Sequence, residues 1–225
     1  MTRIDDAELS EIGLDAETAS SGEKVLLIAC GALAREIIAV RDANGWDHLA
    51  ITCLPAKLHN YPQKIPDAVR ESIRRARVDG YASIFIVYAD CGTGGLLDKV
   101  CAEEGVQRIA GPHCYSFFDG NDAFAERADA GEFTSFYLTD FLARQFDTLI
   151  WKGMGLDRHP DLLPMMFGNY EKLIYLAQTD DSALELKAQR AAEKLGLEYQ
   201  LRRTGYGDLT PFLREAATQV PGPPA

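Results

Sequence analysis

Ser83-Ile-Phe-Ile-Val-Tyr88, followed by Ala89-Asp90-Cys91-Gly92-Thr93-Gly94-Gly95, sets the reading of the whole chain. An unbroken run of apolar β-branched and aromatic residues marks a strand buried on both faces. The glycines break that run, and residues 94–104 then carry a helical pattern closed by Gly105. Residues 106–110 return to strand character. Strand, turn, helix and strand in this order make a β-α-β unit, whose parallel strands require a crossover.

The same alternation extends in both directions. Upstream, residues 24–29 and 49–54 read as strands, with helices over 32–42 and 66–78. Asn44-Gly45 and Asp79-Gly80 supply the helix stops, and Pro66 suits a first turn. Downstream, strands are expected over 134–138, 172–177 and 199–203. Helices are expected over 140–151, 161–167, 182–195 and 209–217, with Asp140 as an N-cap and Gly196 as a stop. The fold class is therefore α/β: a mostly parallel sheet with helices on both faces, either one domain over 23–218 or two pseudo-symmetric Rossmann-like halves, 23–130 and 131–218. Residues 1–22 read as an acidic, poorly ordered tail, and 219–225, rich in proline, as a flexible one.

Composition narrows the function. The chain has 225 residues, 47% of them hydrophobic, enough for a sizeable core. Its formal charge of −11 argues against binding nucleic acid or an anionic membrane surface, both of which need clustered Lys and Arg. No apolar run approaches a membrane span, and the acidic N-terminus lacks the apolar stretch of an export signal. A cytosolic protein is expected, with its five cysteines as thiols or metal ligands rather than disulfides.

In parallel α/β sheets, ligands bind beyond the carboxyl ends of the strands. The chemically unusual residues cluster at those positions. Cys30 follows the first strand, His59 lies in the loop after the second, Asp90 and Cys91 follow the third, and His113-Cys114 follows the fourth. One reading makes Cys30, Cys91 and Cys114 ligands of a zinc ion or an iron–sulfur cluster, with His59 or His113 as a fourth ligand or acid/base. Another is metal-free. Cysteines at helix N-termini have lowered pKa values, so Cys30 and Cys91 could exchange protons at a carbon acid, as in a racemase or lyase. In either case Asp90 is a candidate catalytic acid/base, and a small anionic substrate would sit on the amides of Gly92, Thr93, Gly94 and Gly95. Arg203 and Tyr206, after the last strand, would complete its binding.

Other residues read more plainly. Cys53 and Cys101 are small core residues, and His48 sits in an exposed turn. Arg70, Arg74 and Arg77 share a solvated helix face, Met165-Met166-Phe167 is core packing, and Gly155–Pro160 is a surface turn. His113 and Cys114 are adjacent, so in a strand they would face opposite ways. Both can serve one site only where that segment has left the sheet.

The blocks IACGAL (28–33), LPAKLHNYPQKIP (54–66), YADCGTGG (88–95), GPHCYSFF (111–118), FYLTDFLARQFD (136–147), GLDRHP (155–160) and RRTGYGDL (202–209) together resemble the bacterial and archaeal family called domain of unknown function 1638. The resemblance spans roughly residues 24–215, and Cys30, His59, Cys91 and Cys114 match its blocks. It implies no established activity. It does imply an association with corrinoid-dependent methyl-transfer proteins, and hence methyl transfer at a cysteine-ligated metal beside a corrinoid methyltransferase partner. A non-catalytic cofactor-binding accessory protein is the remaining alternative, and a homodimer is expected from general frequency.

Overall fold

The structure, a computed structural model, describes residues 5–15 and 25–219. The chain forms two compact units: Met1–Cys114 with Asp208–Ala225, and Tyr115–Gly207. The sequence reading offered one domain over 23–218 or two halves with the break near residue 130. It falls earlier because Tyr115 and Phe124 pack on Tyr137, Ile174 and Leu176, inside the second unit.

The first unit holds a parallel sheet of β1 (Val25–Cys30), β2 (Leu49–Leu54), β3 (Ser83–Val87) and β4 (Gln107–Arg108), in the order β2-β1-β3-β4. Every residue of β1 is buried, as its unbroken apolar run requires. Cys30 pairs in register with Leu54, and Ala29 with Val87, so the strand ends are level. β4 is shorter than the expected 106–110. After Arg108 only the Ile109 N–H bonds back to β3, at Ile86.

The sequence reading treated residues 1–22 as a tail, but part of that stretch is ordered. Helix α1 (Asp6–Glu11) starts at Asp5, whose carboxylate accepts the Ala7 N–H at 2.8 Å, and it buries Leu9. Leu14 then makes an antiparallel bridge with Cys53, covering the exposed edge of β2. Residues 1–4, 16–24 and 220–225 lie outside the described set, so the rest of both predicted tails does too.

Helices α2 (Ala34–Asn44), α3 (Ile65–Val78) and α4 (Leu96–Glu104) link the strands. α3 is strongly amphipathic: Ile65, Val69 and Ile73 are fully buried, each contributing about 1.5–3 kcal/mol. Its polar face is not merely solvated. Arg70, Arg74 and Arg77 converge on Glu104 of α4, at 3.3, 3.0 and 2.6 Å.

The second unit holds β5 (Ser135–Thr139), β6 (Lys172–Ala177) and β7 (Glu198–Arg203), all parallel, in the order β5-β6-β7. Its helices are α5 (Ser116–Asp119), α6 (Asn121–Asp129), α7 (Asp140–Gln145), α8 (Leu163–Phe167) and α9 (Ser182–Leu195). Asp140 is not the N-cap of α7. Thr139 caps it, accepting the Leu142 N–H at 3.3 Å. Asp140 is buried and accepts from the Tyr175 hydroxyl at 2.7 Å, the Gln178 N–H at 3.1 Å and the Thr179 hydroxyl at 2.5 Å. The expected helix over 140–151 changes to a π-helical winding over Phe146–Lys152. The chain then re-enters the first unit as α10 (Leu209–Thr218), which packs on α2 and sets Phe212 edge-to-face against Phe85 of β3.

No helix among the described residues is long and apolar enough to cross a membrane. Both units are Rossmann-like, as the alternating pattern predicted.

The turn after β1 depends on close backbone approach. A Cβ on Gly31 would stand 2.5 Å from the Leu9 carbonyl oxygen and 3.1 Å from that of Leu54. Gly31→Ala is expected to lower stability by about 1–3 kcal/mol, read as a lower urea midpoint with unchanged slope. Gly94→Ala, where a Cβ meets nothing within 4 Å, should cost only the strain of its positive φ, about 1 kcal/mol.

Candidate functional site: a thiol cluster at the sheet switch point

In the order β2-β1-β3-β4 the chain winds outward from β1 in one direction and from β3 in the other. The crevice at their carboxyl ends is the topological switch point of the first unit. The loops after all four strands leave at this edge. β3 continues through buried Tyr88 and Ala89 into the turn at Asp90. There the Asp90 N–H bonds to the Gly111 carbonyl at 3.0 Å and the Cys91 N–H to the Pro112 carbonyl at 2.9 Å. These two bonds continue the β3–β4 pairing after both strands have ended, and they draw Cys91 and Cys114 together.

Cys91 has φ +47°, the one non-glycine residue among those described with positive φ. Such a conformation costs about 1–2 kcal/mol for an ordinary side chain and recurs at functional turns. The glycine-rich turn holds it there. Asp90 accepts the Thr93 hydroxyl at 2.6 Å, the Gly95 N–H at 2.8 Å and the Gly94 N–H at 3.2 Å. Its carboxyl is partly buried, which raises its pKa, but these hydrogen bonds outweigh burial and hold it below the usual range.

This corrects the expected anion site. The amides of Gly94 and Gly95 and the hydroxyl of Thr93 already hold an anion, the side chain of Asp90 itself. Asp90 is likewise occupied as the organiser of the turn rather than poised as a catalytic acid.

The three expected cysteines do converge. Cys91 Sγ lies 3.3 Å from Cys114 Sγ, and the Cys114 thiol also hydrogen-bonds Cys30. Cys30 and Cys91 are buried and Cys114 is half-buried. His59, in a 3-10 turn (Ala56–Asn60), is exposed on its outer side while its ring hydrogen-bonds Cys91. The result is a graded set of protonation preferences. The Cys114 hydrogen bond pulls the Cys91 pKa well below that of an ordinary thiol, burial opposes it, and His59 and the Cys114 N–H add to the lowering. Cys114, placed to donate its one S–H to either neighbour, is pushed well above. The hydrogen bond to Cys91 raises His59 above its ordinary value, against the effect of burial. The cluster therefore favours a Cys91 thiolate, a Cys114 thiol and a His59 imidazolium.

His113 does not duplicate His59. It is half-buried, and burial lowers its pKa. Because β4 ends at Arg108, His113 and Cys114 lie beyond the strand and are released from its alternation.

The metal expectation meets a different geometry. Among the described residues no group of three or more His, Cys, Asp or Glu is placed to hold a metal ion. Two thiolates on one tetrahedral zinc stand about 3.8 Å apart. Cys91 and Cys114 are closer than that, at a thiol-to-thiolate hydrogen-bond contact. Arg203 and Tyr206 belong to the second unit. Arg203 pairs there with Asp180 at 2.9 Å and approaches Glu185 at 3.9 Å, so it is engaged by acids rather than held for a substrate.

One residue of the site escaped the sequence reading. Tyr88 is fully buried, with its hydroxyl against the Cys30 sulfur. Its position as the last residue of the apolar run, at the carboxyl edge, was the available signal. Cys53 and Cys101 lie in β2 and α4 as expected, and burial pushes the pKa of both up.

Fold and site thus define a Rossmann-like protein with a thiol cluster at its switch point. The family described as "Protein of unknown function (DUF1638)" matches residues 53–213, and the chain belongs to it. The matched span holds His59, Cys91 and Cys114 and begins after Cys30. No curated protein and no solved structure matches the chain.

Asp90→Ala should release the turn and cost about 1–2 kcal/mol. A carboxyl whose pKa is depressed on folding stabilises above its unfolded value and loses that contribution as pH falls through the folded one. The deficit of the variant, measured by urea titration, is therefore expected in full above about pH 4 and should shrink in stronger acid.

Proposed function

We propose that the first unit is a cysteine-dependent enzyme in which the Cys91 thiolate attacks an electrophilic carbon of a small substrate. The observation that carries this reading is the position of Cys91: held at positive φ on a turn, its sulfur against both Cys114 and His59. A strained turn that exposes a nucleophile at the head of a strand is a recurrent catalytic device. The roles follow from the chemistry. A C–S bond forms as the bond to the leaving group breaks, and His59 gives that group its proton. A second acceptor, water or another nucleophile, then takes the group from sulfur. The anionic character expected of the substrate loses its support, with the glycine amides and Arg203 already engaged.

A second reading rests on the donor set. Three sulfurs and an imidazole drawn from four loops suit zinc or an iron–sulfur cluster, and methyl transfer with a corrinoid protein partner would then follow the family resemblance.

Alkylation by iodoacetamide, mapped by peptide mass spectrometry across pH, tests the first reading. Cys91 should react at pH 6–7, well below the range near 8.5 where free thiols ionise. His59→Gln should shift the midpoint up and slow the reaction at pH 7. A Cys91 that reacts no faster than a free thiol overturns the thiolate enzyme. Stoichiometric zinc or iron in protein purified without air, lost in Cys91→Ser, would establish the second reading in its place.

A further inference from the structure

We propose that Cys91 and Cys114 form a dithiol–disulfide couple that exchanges with small organic disulfides, an activity that rests on the thiolate reading of Cys91 and extends it. The geometry is that of an attacking and a resolving sulfur. The two atoms are 3.3 Å apart in the free thiols, and no element lies between them. They sit on two loops held side by side by the Asp90–Gly111 and Cys91–Pro112 backbone bonds. Closing the remaining distance to a bond of about 2.05 Å asks only for small rotations. Cys114 is half-buried and His59 exposed, so the cluster opens to solvent on their side, while Cys30 and Cys91 are buried.

The exchange balances. The Cys91 thiolate attacks one sulfur of a disulfide R–S–S–R. A mixed disulfide forms on Cys91, and R–S⁻ departs, taking a proton from His59. Cys114 loses its proton to the neutral imidazole so produced, and its thiolate attacks Cys91 Sγ. The second R–S⁻ leaves as the Cys91–Cys114 bond forms. The protein has lost two electrons, the substrate disulfide has gained two, and a small thiol reverses the sequence. Cys53 and Cys101 serve as internal controls, since both are buried in regular elements and neither belongs to the cluster.

The experiment uses the full chain, reduced and then freed of reductant, with bis(2-hydroxyethyl) disulfide as the probe. Intact mass should fall by about 2 Da with no adduct retained, and dithiothreitol should restore it. Peptide mapping should place the new link between Cys91 and Cys114. Cys114→Ser should instead keep one mercaptoethanol adduct on Cys91, because nothing resolves it, and Cys91→Ser should form no Cys114 link. A wild-type protein that retains the adduct, stays reduced under a large excess of probe, or links another pair overturns the proposal. Iodoacetamide labelling of Cys91 in the Cys114→Ser variant separates the two failures. If Cys91 is still alkylated at pH 6–7, only the exchange is lost. If it is not, the thiolate reading falls as well.

Discussion

The candidate site depends on the carboxylate of Asp90. Its oxygens collect a hydroxyl and two amides from the five residues that follow, and its own N–H is fixed to Gly111. That closes the chain after β3 into a tight turn and leaves Cys91 in a backbone conformation that a non-glycine residue adopts only when its surroundings impose it. The strain at Cys91, about 1–2 kcal/mol, is comparable to the gain from one or two charge-assisted hydrogen bonds, so the turn is self-supporting. Sulfur orientation is thus set by a group that never touches the sulfur.

The electrostatics of the cluster follow from a shortage of protons and of cations. A buried thiolate carries a large desolvation penalty unless it is hydrogen-bonded and paired. Here the Cys91 sulfur receives the Cys114 thiol, the Cys114 N–H and the His59 ring. The same Cys114 thiol, with the Ala32 N–H and the Tyr88 hydroxyl, holds the Cys30 pKa below its ordinary value, against burial and the charge on Cys91. One S–H cannot serve two sulfurs at once. The arrangement therefore favours a single negative charge shared over neighbouring sulfurs and balanced by a single imidazolium. In a chain of formal charge −11, this balance comes from His59 and local amides rather than from a basic patch.

The sheet order and the convergence of sulfurs were legible because both follow from the spacing of apolar runs. Once residues 25–30, 49–54 and 83–87 are read as parallel strands, the loops behind them must share an edge. What the sequence concealed has equally physical causes. The glycine-rich turn was read as an empty anion nest because its composition is the same whether a ligand or a preceding aspartate fills it. The signal was present, since Asp bonds its own downstream amides as a rule. The choice between His59 and His113 depends on where β4 ends. That in turn depends on a pairing that persists through Pro112, a residue whose carbonyl accepts although it can donate nothing. Helix α1 was missed because only Asp6, Leu9 and Ser10 of its six residues are buried, too narrow a stripe to show as periodicity. The boundary at Cys114 was invisible for another reason: Tyr115, Phe124 and Tyr137 join through tertiary aromatic packing that no local pattern encodes.

A comparison of buried polar groups in the two units, each taken by itself, separates structure from chemistry. Behind β5, Asp140 is almost fully buried, yet three donors meet its two oxygens, and Gln178, which supplies one of them, also holds the Asp140 N–H. Such a closed network rigidifies a strand end and offers nothing to a ligand. Behind β1 and β3 the accounts do not close. Cys91 keeps a strained backbone and a protonation state shifted toward the thiolate. A structural role at position 91 would have been better served by glycine, because backbone strain costs free energy without adding stability. All five cysteines of the chain lie in this unit, and three of them meet at its switch point. The strained turn and the three converging sulfurs at that edge are the physical reason to place the chemistry there and to read the buried acid of the second unit as scaffold.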